Sequence, residues 1–237
     1  MICVYCNKNV IGRYMCDDYG HCAHENHAIQ CFSCGQFITI KDIKLADGRP
    51  LCLRCSKMAV VEDSHIEWVR NKVLGMYRKI NLSDIRADIP IELIDYKQML
   101  KLRRNPSFCS AHQYGLTISS SSSFINRTKW EHKIYMLTHL HRVAFAGILA
   151  HELFHVWQNE KLLNLRPALC EGLCNLGSYL MFGQIEHEIS RVLSHQMEIS
   201  PDPIYGNGFR IVKAIYDHNE SNIQASLKDI VKLNHNS

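Results

Sequence analysis

Ile148-Leu149-Ala150-His151-Glu152-Leu153-Phe154-His155-Val156-Trp157 is an apolar run broken by two histidines and one glutamate. The upstream stretch Ala144-Phe145-Ala146-Gly147 continues it, so the segment reads as a buried helix starting near 139–142 and ending near Asn159. Leu149, Leu153 and Val156 are its expected core stripe. Residues four apart on a helix share a face, so His151 and His155 can bind one Zn²⁺. Glu152 then stands beside the metal, placed to take a proton from a bound water. This is the HExxH pattern of zinc peptidases.

A catalytic zinc needs a third protein ligand and an open position for water. Arg166-Pro167 reads as a helix start, with proline in the first turn, which puts Glu171 one turn into a second helix. A short loop after the first helix allows the second to fold back across it. Leu169, Leu173 and Leu176 mark the segment as buried, so Glu171 is the expected ligand, with His187 and His195 as alternatives. His139 and His141 precede the first helix and are read as structural.

The head of the chain is rich in cysteine. Eight of eleven cysteines lie before residue 56, six of them in three Cys-x-x-Cys pairs. Each pair fits a zinc knuckle. Cys31/Cys34 and Cys52/Cys55, 17 residues apart, close one all-thiolate site. Cys3/Cys6 needs partners, and His24 with His27 supply them after the same gap of 17; His21, Cys16 and Cys22 are possible substitutes. Two fingers of equal size, joined by Ala28-Ile29-Gln30, resemble a LIM domain. Gly35 and Asp47-Gly48-Arg49-Pro50 are LIM-like turns, and a short hairpin is expected near each knuckle. LIM domains bind proteins. Residues 1–57 carry seven Lys/Arg against five Asp/Glu, which is no basic stripe, so nucleic acid is not an expected partner.

The 237 residues are 46% hydrophobic and 21% charged, with a formal charge of +4. This is an ordinary globular composition. No apolar run approaches the roughly 18 residues of a membrane span, and Met1-Ile2-Cys3-Val4-Tyr5-Cys6 does not start like a signal peptide. The expectation is a cytoplasmic chain without membrane partners, whose cysteines are thiols and zinc ligands rather than disulfides.

Between head and HExxH helix, Ile66, Val69, Val73 and Tyr77 follow a helical period within Val60–Lys79. That helix is expected to link the LIM unit to the rest and to serve as its docking surface. Ile89-Pro90-Ile91, Tyr114 to Ile118 and Ile134 to Leu137 read as strands of a small sheet. The run Ser119 to Ser123 reads as a flexible loop.

Taken together, the LIM head, the Ile148–Trp157 stretch and Glu171-Gly172-Leu173-Cys174 resemble the LIM-domain zinc peptidases. These are known in plants as ubiquitin-activated limiters of organ growth and have bacterial relatives. His195-Gln196-Met197-Glu198 and Pro203-Ile204-Tyr205-Gly206-Asn207-Gly208-Phe209-Arg210 extend the likeness. It implies a gluzincin-type site cleaving proteins internally, with protein substrates and ubiquitin or ubiquitinated proteins as partners. It also makes His195 and Tyr205 the candidate oxyanion donors. Family members usually carry a Glu pair where this chain has Cys170-Glu171. The plant proteins add ubiquitin-interacting motifs and a second LIM-like module that are not visible here, so a compact bacterial-type member is expected.

The expected fold class is α+β: a small LIM double zinc finger (1–57), then a mainly helical zincin-like metallopeptidase domain with a small sheet (58–237). Residues 58–80 form the linking helix, and three Zn²⁺ are expected per chain. Two rival readings are a LIM-type adaptor carrying a weakly active or inactive peptidase fold, and a zinc hydrolase of small amides.

Overall fold

In the first finger, strands β1 (Tyr14–Cys16) and β2 (Cys22–His24) pair antiparallel and run into a 3-10 turn, Glu25–His27. The second finger repeats the plan with β3 (Ile43–Lys44), β4 (Pro50–Leu51) and a short helix α1 (Leu53–Lys57). Gly48 makes the turn between β3 and β4 at φ +91°, a left-handed conformation that glycine adopts without a Cβ penalty. This computed structural model describes residues 1–103, 114–124 and 127–235.

The remainder is mixed α and β. Helix α2 (Asp63–Lys79) leads to β5 (Ile91–Ile94), α3 (Tyr96–Arg103), β6 (Gly115–Phe124) and β7 (Arg127–Leu137). Then follow α4 (Arg142–Glu160), α5 (Pro167–Gly183), α6 (Glu188–Ile199), α7 (Tyr205–His218) and α8 (Ile223–His235). The strand order is β5-β7-β6, with β5 parallel and β6 antiparallel to β7. On β7, His132, Ile134 and Met136 are buried, while Glu131 is exposed and Lys133 and Tyr135 are half-buried. One core joins this sheet to α2, α4, α5, α7 and α8. None of the described helices is long and apolar enough to cross a membrane.

Helices α4 and α5 form where their patterns place them, and local chemistry sets their starts. The His141 imidazole caps α4 by accepting from Val143 N at 3.1 Å, and Pro167 occupies the first turn of α5. Helices α5 and α7 meet at two glycines. A Cβ on Gly172 would strike the Gly208 carbonyl, and one on Gly208 the Ala168 carbonyl. The Glu171-Gly172 and Tyr205–Arg210 motifs are therefore two sides of one close crossing.

Three expectations need correction. Ser119–Ser123 is not a loop: it is the middle of β6, paired residue by residue from Ser119↔His132 to Ser123↔Thr128. Serine's weak strand preference is overridden by the β7 ladder and by Ser119 Oγ, which bonds His132 Nδ1 at 2.8 Å and accepts from Asn159 at 2.9 Å. Helix α2 is not where the fingers dock. It packs on α4 and α5, its Tyr77 hydroxyl donating to the Ala150 carbonyl at 2.5 Å. The second finger instead shares a core with Val143, Phe182 and Ile189 of α4, α5 and α6. Finally, Cys16 and Cys22 are joined as a disulfide. They face each other directly in the β1–β2 register, with Cα atoms 4.2 Å apart, which brings two thiols together.

Candidate metal centres

Three clusters of metal-ligating side chains are present among the described residues: Cys3/Cys6/His24/His27, Cys31/Cys34/Cys52/Cys55, and a buried group around His151 and His155. All three can be tested against the geometry of a tetrahedral ion. Zinc bonds near 2.3 Å to sulfur and 2.0–2.1 Å to nitrogen or oxygen put two sulfurs about 3.8 Å apart, sulfur and nitrogen about 3.6 Å, and two nitrogens about 3.3 Å.

The fingers meet those edges. Cys34 Sγ and Cys52 Sγ are 3.9 Å apart. In the first finger, Cys3 Sγ–His27 Nδ1 and Cys6 Sγ–His24 Nδ1 are both 3.6 Å. His24 Nε2 lies 3.2 Å from the Asn9 carbonyl, so it carries the proton and leaves Nδ1 as the ligand atom. Cys16 and Cys22 are engaged with each other and His21 with Asp17, so none of the substitutes joins the cluster. In the second finger, contact with Cys34 and Cys52 holds Cys31 below the ordinary thiol range, while contact with Cys31 pushes Cys52 and Cys55 above it. Four thiolates so close repel one another, and a divalent cation is what lets all four ionise. The amides of Cys52 and Cys55 point at the sulfurs of Cys31 and Cys52, both at 3.4 Å.

The third cluster sits where α4 crosses α5. His151 Nε2 and His155 Nε2 are 3.0 Å apart, and Glu171 Oε2 lies 3.2 Å and 3.4 Å from them. These three edges bracket the tetrahedral value for nitrogen and oxygen donors. His151 Nδ1 donates to Asn175 Oδ1 at 3.0 Å, and the Asn175 amide donates to the Tyr205 carbonyl at 3.0 Å. That chain fixes the tautomer and aims the Nε2 lone pair inward. Burial lowers His151 to about 4, keeping it the neutral ligand form. Burial alone would raise Glu171, but the two imidazoles hold it well below the ordinary carboxylate range. It is a buried carboxylate facing two imidazoles. Against burial, contact with Cys170 and Glu171 in turn raises His155 well above the ordinary imidazole range, so the cluster favours positive charge at its centre.

Cys174, one turn beyond Glu171, also brings its sulfur within 4.8 Å of the imidazole nitrogens. Burial pushes its thiol well above the usual range, so it is uncharged where Glu171 is ionised. Glu171, ionised and at 3.2 Å and 3.4 Å from the two imidazoles, is the candidate anionic ligand. His187 is elsewhere: its Nδ1 accepts from Ile189 N and caps α6.

Glu152 is fully buried beside this cluster. Thr117 Oγ1 of β6 donates to its Oε2 at 2.7 Å. Strand and helix approach this closely because residue 115 is glycine; a Cβ there would strike Glu152 and Ile148. The structure thus brings together His151, Glu152, His155 and Glu171. Tyr205 is half-buried at the start of α7, next to Asn175. His195 is not brought in: it is exposed on α6 and lines a groove with Glu186, His187 and Arg191.

Sequence reasoning missed Asn175, Thr117 and the Cys170–Gln158 pair, in which the thiol donates at 3.0 Å and lies 4.0 Å from His155 Nδ1. Asn175 had a signal, being four residues after Glu171 and so on the same helix face. Thr117 had none, because only the sheet carries it to α4.

No family model matches the chain, and no solved structure does. Protein DA1 of Arabidopsis thaliana is 25% identical over 246 positions, covering 79% of this chain and 46% of that protein. Protein DA1-related 2 of the same plant is 23% identical, covering 81% and 48%. LIM domain-containing protein HDR3 of Oryza sativa subsp. japonica is 25% identical, covering 64% and 36%. The chain therefore spans about half the length, or less, of the curated relatives it matches. With its Cys/His groups compatible with zinc binding, it is a distant homologue of DA1, DA1-related and LIM domain proteins.

Proposed function

We propose that the chain is a zinc-dependent endopeptidase: LIM fingers over residues 1–57, and a zincin-like, gluzincin-type domain over residues 58–237. The observation that carries this reading is a buried glutamate, Glu152, oriented by Thr117 beside three converging donors, His151, His155 and Glu171. An inert metal site has no use for a second, buried acid next to its ligands. That consideration favours catalysis over the adaptor reading.

His151, His155 and Glu171 would hold the catalytic zinc; Cys3, Cys6, His24 and His27 the first LIM zinc; Cys31, Cys34, Cys52 and Cys55 the second. When bound at the catalytic position, zinc supplies Lewis acidity, acidifying a water and polarising the scissile carbonyl. Glu152 takes the proton of the attacking water and returns it to the leaving amine. Asn175 keeps His151 in register. Tyr205, beside Asn175, is the proposed donor to the developing oxyanion. The proposed partners are protein substrates, including the ubiquitin or ubiquitinated proteins that the family resemblance points to. The first finger supports targeting, for it exposes Ile11, Tyr14 and Met15.

The test is Glu152→Gln. The variant is expected to keep three zinc ions and its melting temperature while losing about a hundredfold or more in turnover of an unfolded protein. Unchanged turnover would remove Glu152 from the mechanism.

A further inference from the structure

A cavity of about 270 Å³ continues the α4–α5 groove away from the metal cluster. On α4 its floor is Ala144 and Ile148, and the same four-residue stripe next reaches Glu152. On α5 it is lined by Asn175, Ser178 and Phe182, and the residue one turn before Asn175 is Glu171. Both helices therefore lead straight from catalytic residues into the cavity, beginning one turn, about 6 Å, from Glu152. Gly115 ties the two together, since a Cβ at that position would strike both Ile148 and Glu152.

Leu193 and Met197 of α6 form the far wall, and the walls are mainly apolar. The second zinc finger closes one side through Ser33, which is buried and accepts the His141 amide at 2.8 Å at the start of α4. The volume lies just below the range of ligand pockets, roughly 300–1,000 Å³. It suits one large side chain rather than a folded partner.

Resting on the peptidase reading above, we infer that this cavity is the specificity pocket. It receives one large apolar side chain of the substrate, one or two residues from the scissile bond, and the second finger is part of its wall. The finger thus shapes the cleft itself. Successive side chains on one side of an extended peptide are about 6.5–7 Å apart, which matches the one-turn offset between Glu152 and Ile148.

The experiment profiles the cleavage of a randomised peptide library by the native chain, Met197→Trp and Met197→Ala, each checked for zinc content and melting temperature. Met197 is half-buried, so both changes can be accommodated. The native chain is expected to select a large apolar residue at one position flanking the cut. Met197→Trp should lower kcat/KM for such peptides at least tenfold and shift selection to Gly or Ala, and Met197→Ala should admit bulkier aromatics. Cleavage without a flanking preference, or a preference unmoved by both variants, overturns the inference while leaving the peptidase reading intact. If the native chain cleaves nothing, the peptidase reading fails and binding decides. The ¹³C-methyl signal of Met197 in Glu152→Gln is followed with a Phe-containing hexapeptide and its Gly analogue. A shift with Phe alone upholds the pocket, and no shift rejects it.

Discussion

The two zinc fingers have the same length and the same hairpin, yet they occupy different physical situations. The first finger covers a small core of Cys3, Ala23 and Phe37 and exposes much of its apolar surface. The second buries its four cysteines and Leu51 against Val143, Phe182 and Ile189. Polar contacts reinforce that junction: Arg49 donates to the Thr138 carbonyl at 3.0 Å, and the Tyr96 amide to Asp47 at 3.1 Å. One finger is an appendage and the other a structural wall of the helical body. Metal sites of matched spacing can therefore have unequal consequences for the fold.

The largest effect expected from this contrast is on stability. Zinc in a finger supplies on the order of 10 kcal/mol of folding free energy. In the second finger it also holds three apolar side chains of the helical body under cover, at about 1.5–3 kcal/mol each. Cys55→Ser is expected to lower the melting temperature of the whole chain by more than 10 °C and to abolish the proposed peptidase activity. Cys6→Ser should lose one zinc and leave the main transition in place. Calorimetry with metal analysis distinguishes them, and equal shifts would erase the contrast. By the same argument, residues 58–237 alone should bind a hydrophobic dye and aggregate.

Next in size comes the cluster of His151, His155 and Glu171. Glu171→Ala is expected to release one zinc of three, with the finger zincs retained. Cys174→Ala should retain all three; if it loses one instead, the thiol is the ligand and the carboxylate its neighbour.

A smaller effect is predicted for Asn175→Ala, which frees His151 to rotate but removes no ligand. Outer contacts of this kind are worth about 10–100-fold in metal affinity. A chelator competition should place the loss in that range, confined to one ion. The smallest effect belongs to Arg54→Ala, which removes a 2.7 Å ion pair with Glu188 between the second finger and α6. Both groups are solvent-accessible, so the loss should stay under about 1 kcal/mol in urea unfolding. A larger loss would mean that the junction is held by charge rather than by its apolar core.

Much of this molecule is legible in short windows of sequence. Knuckle pairs are three residues apart, the two HExxH histidines four apart, and Pro167 announces the helix that carries Glu171. In each case one turn or one helical face sets the geometry, so spacing translates directly into position. Other features depend on chain segments that meet only in the folded state. Ser119–Ser123 became a strand because β7 offered a ladder, and Cys16 met Cys22 because a hairpin register opposed them. Thr117 reached Glu152 across 35 residues, and the second finger docked on α4, α5 and α6 rather than on α2. His195 looked equivalent to Tyr205 by motif, yet α6 turns it to solvent while α7 sets Tyr205 against Asn175. The residue types and local spacings determined which candidate ligands and which helices exist. Only tertiary packing, which pairs surfaces far apart in the chain, decided which of them face one another.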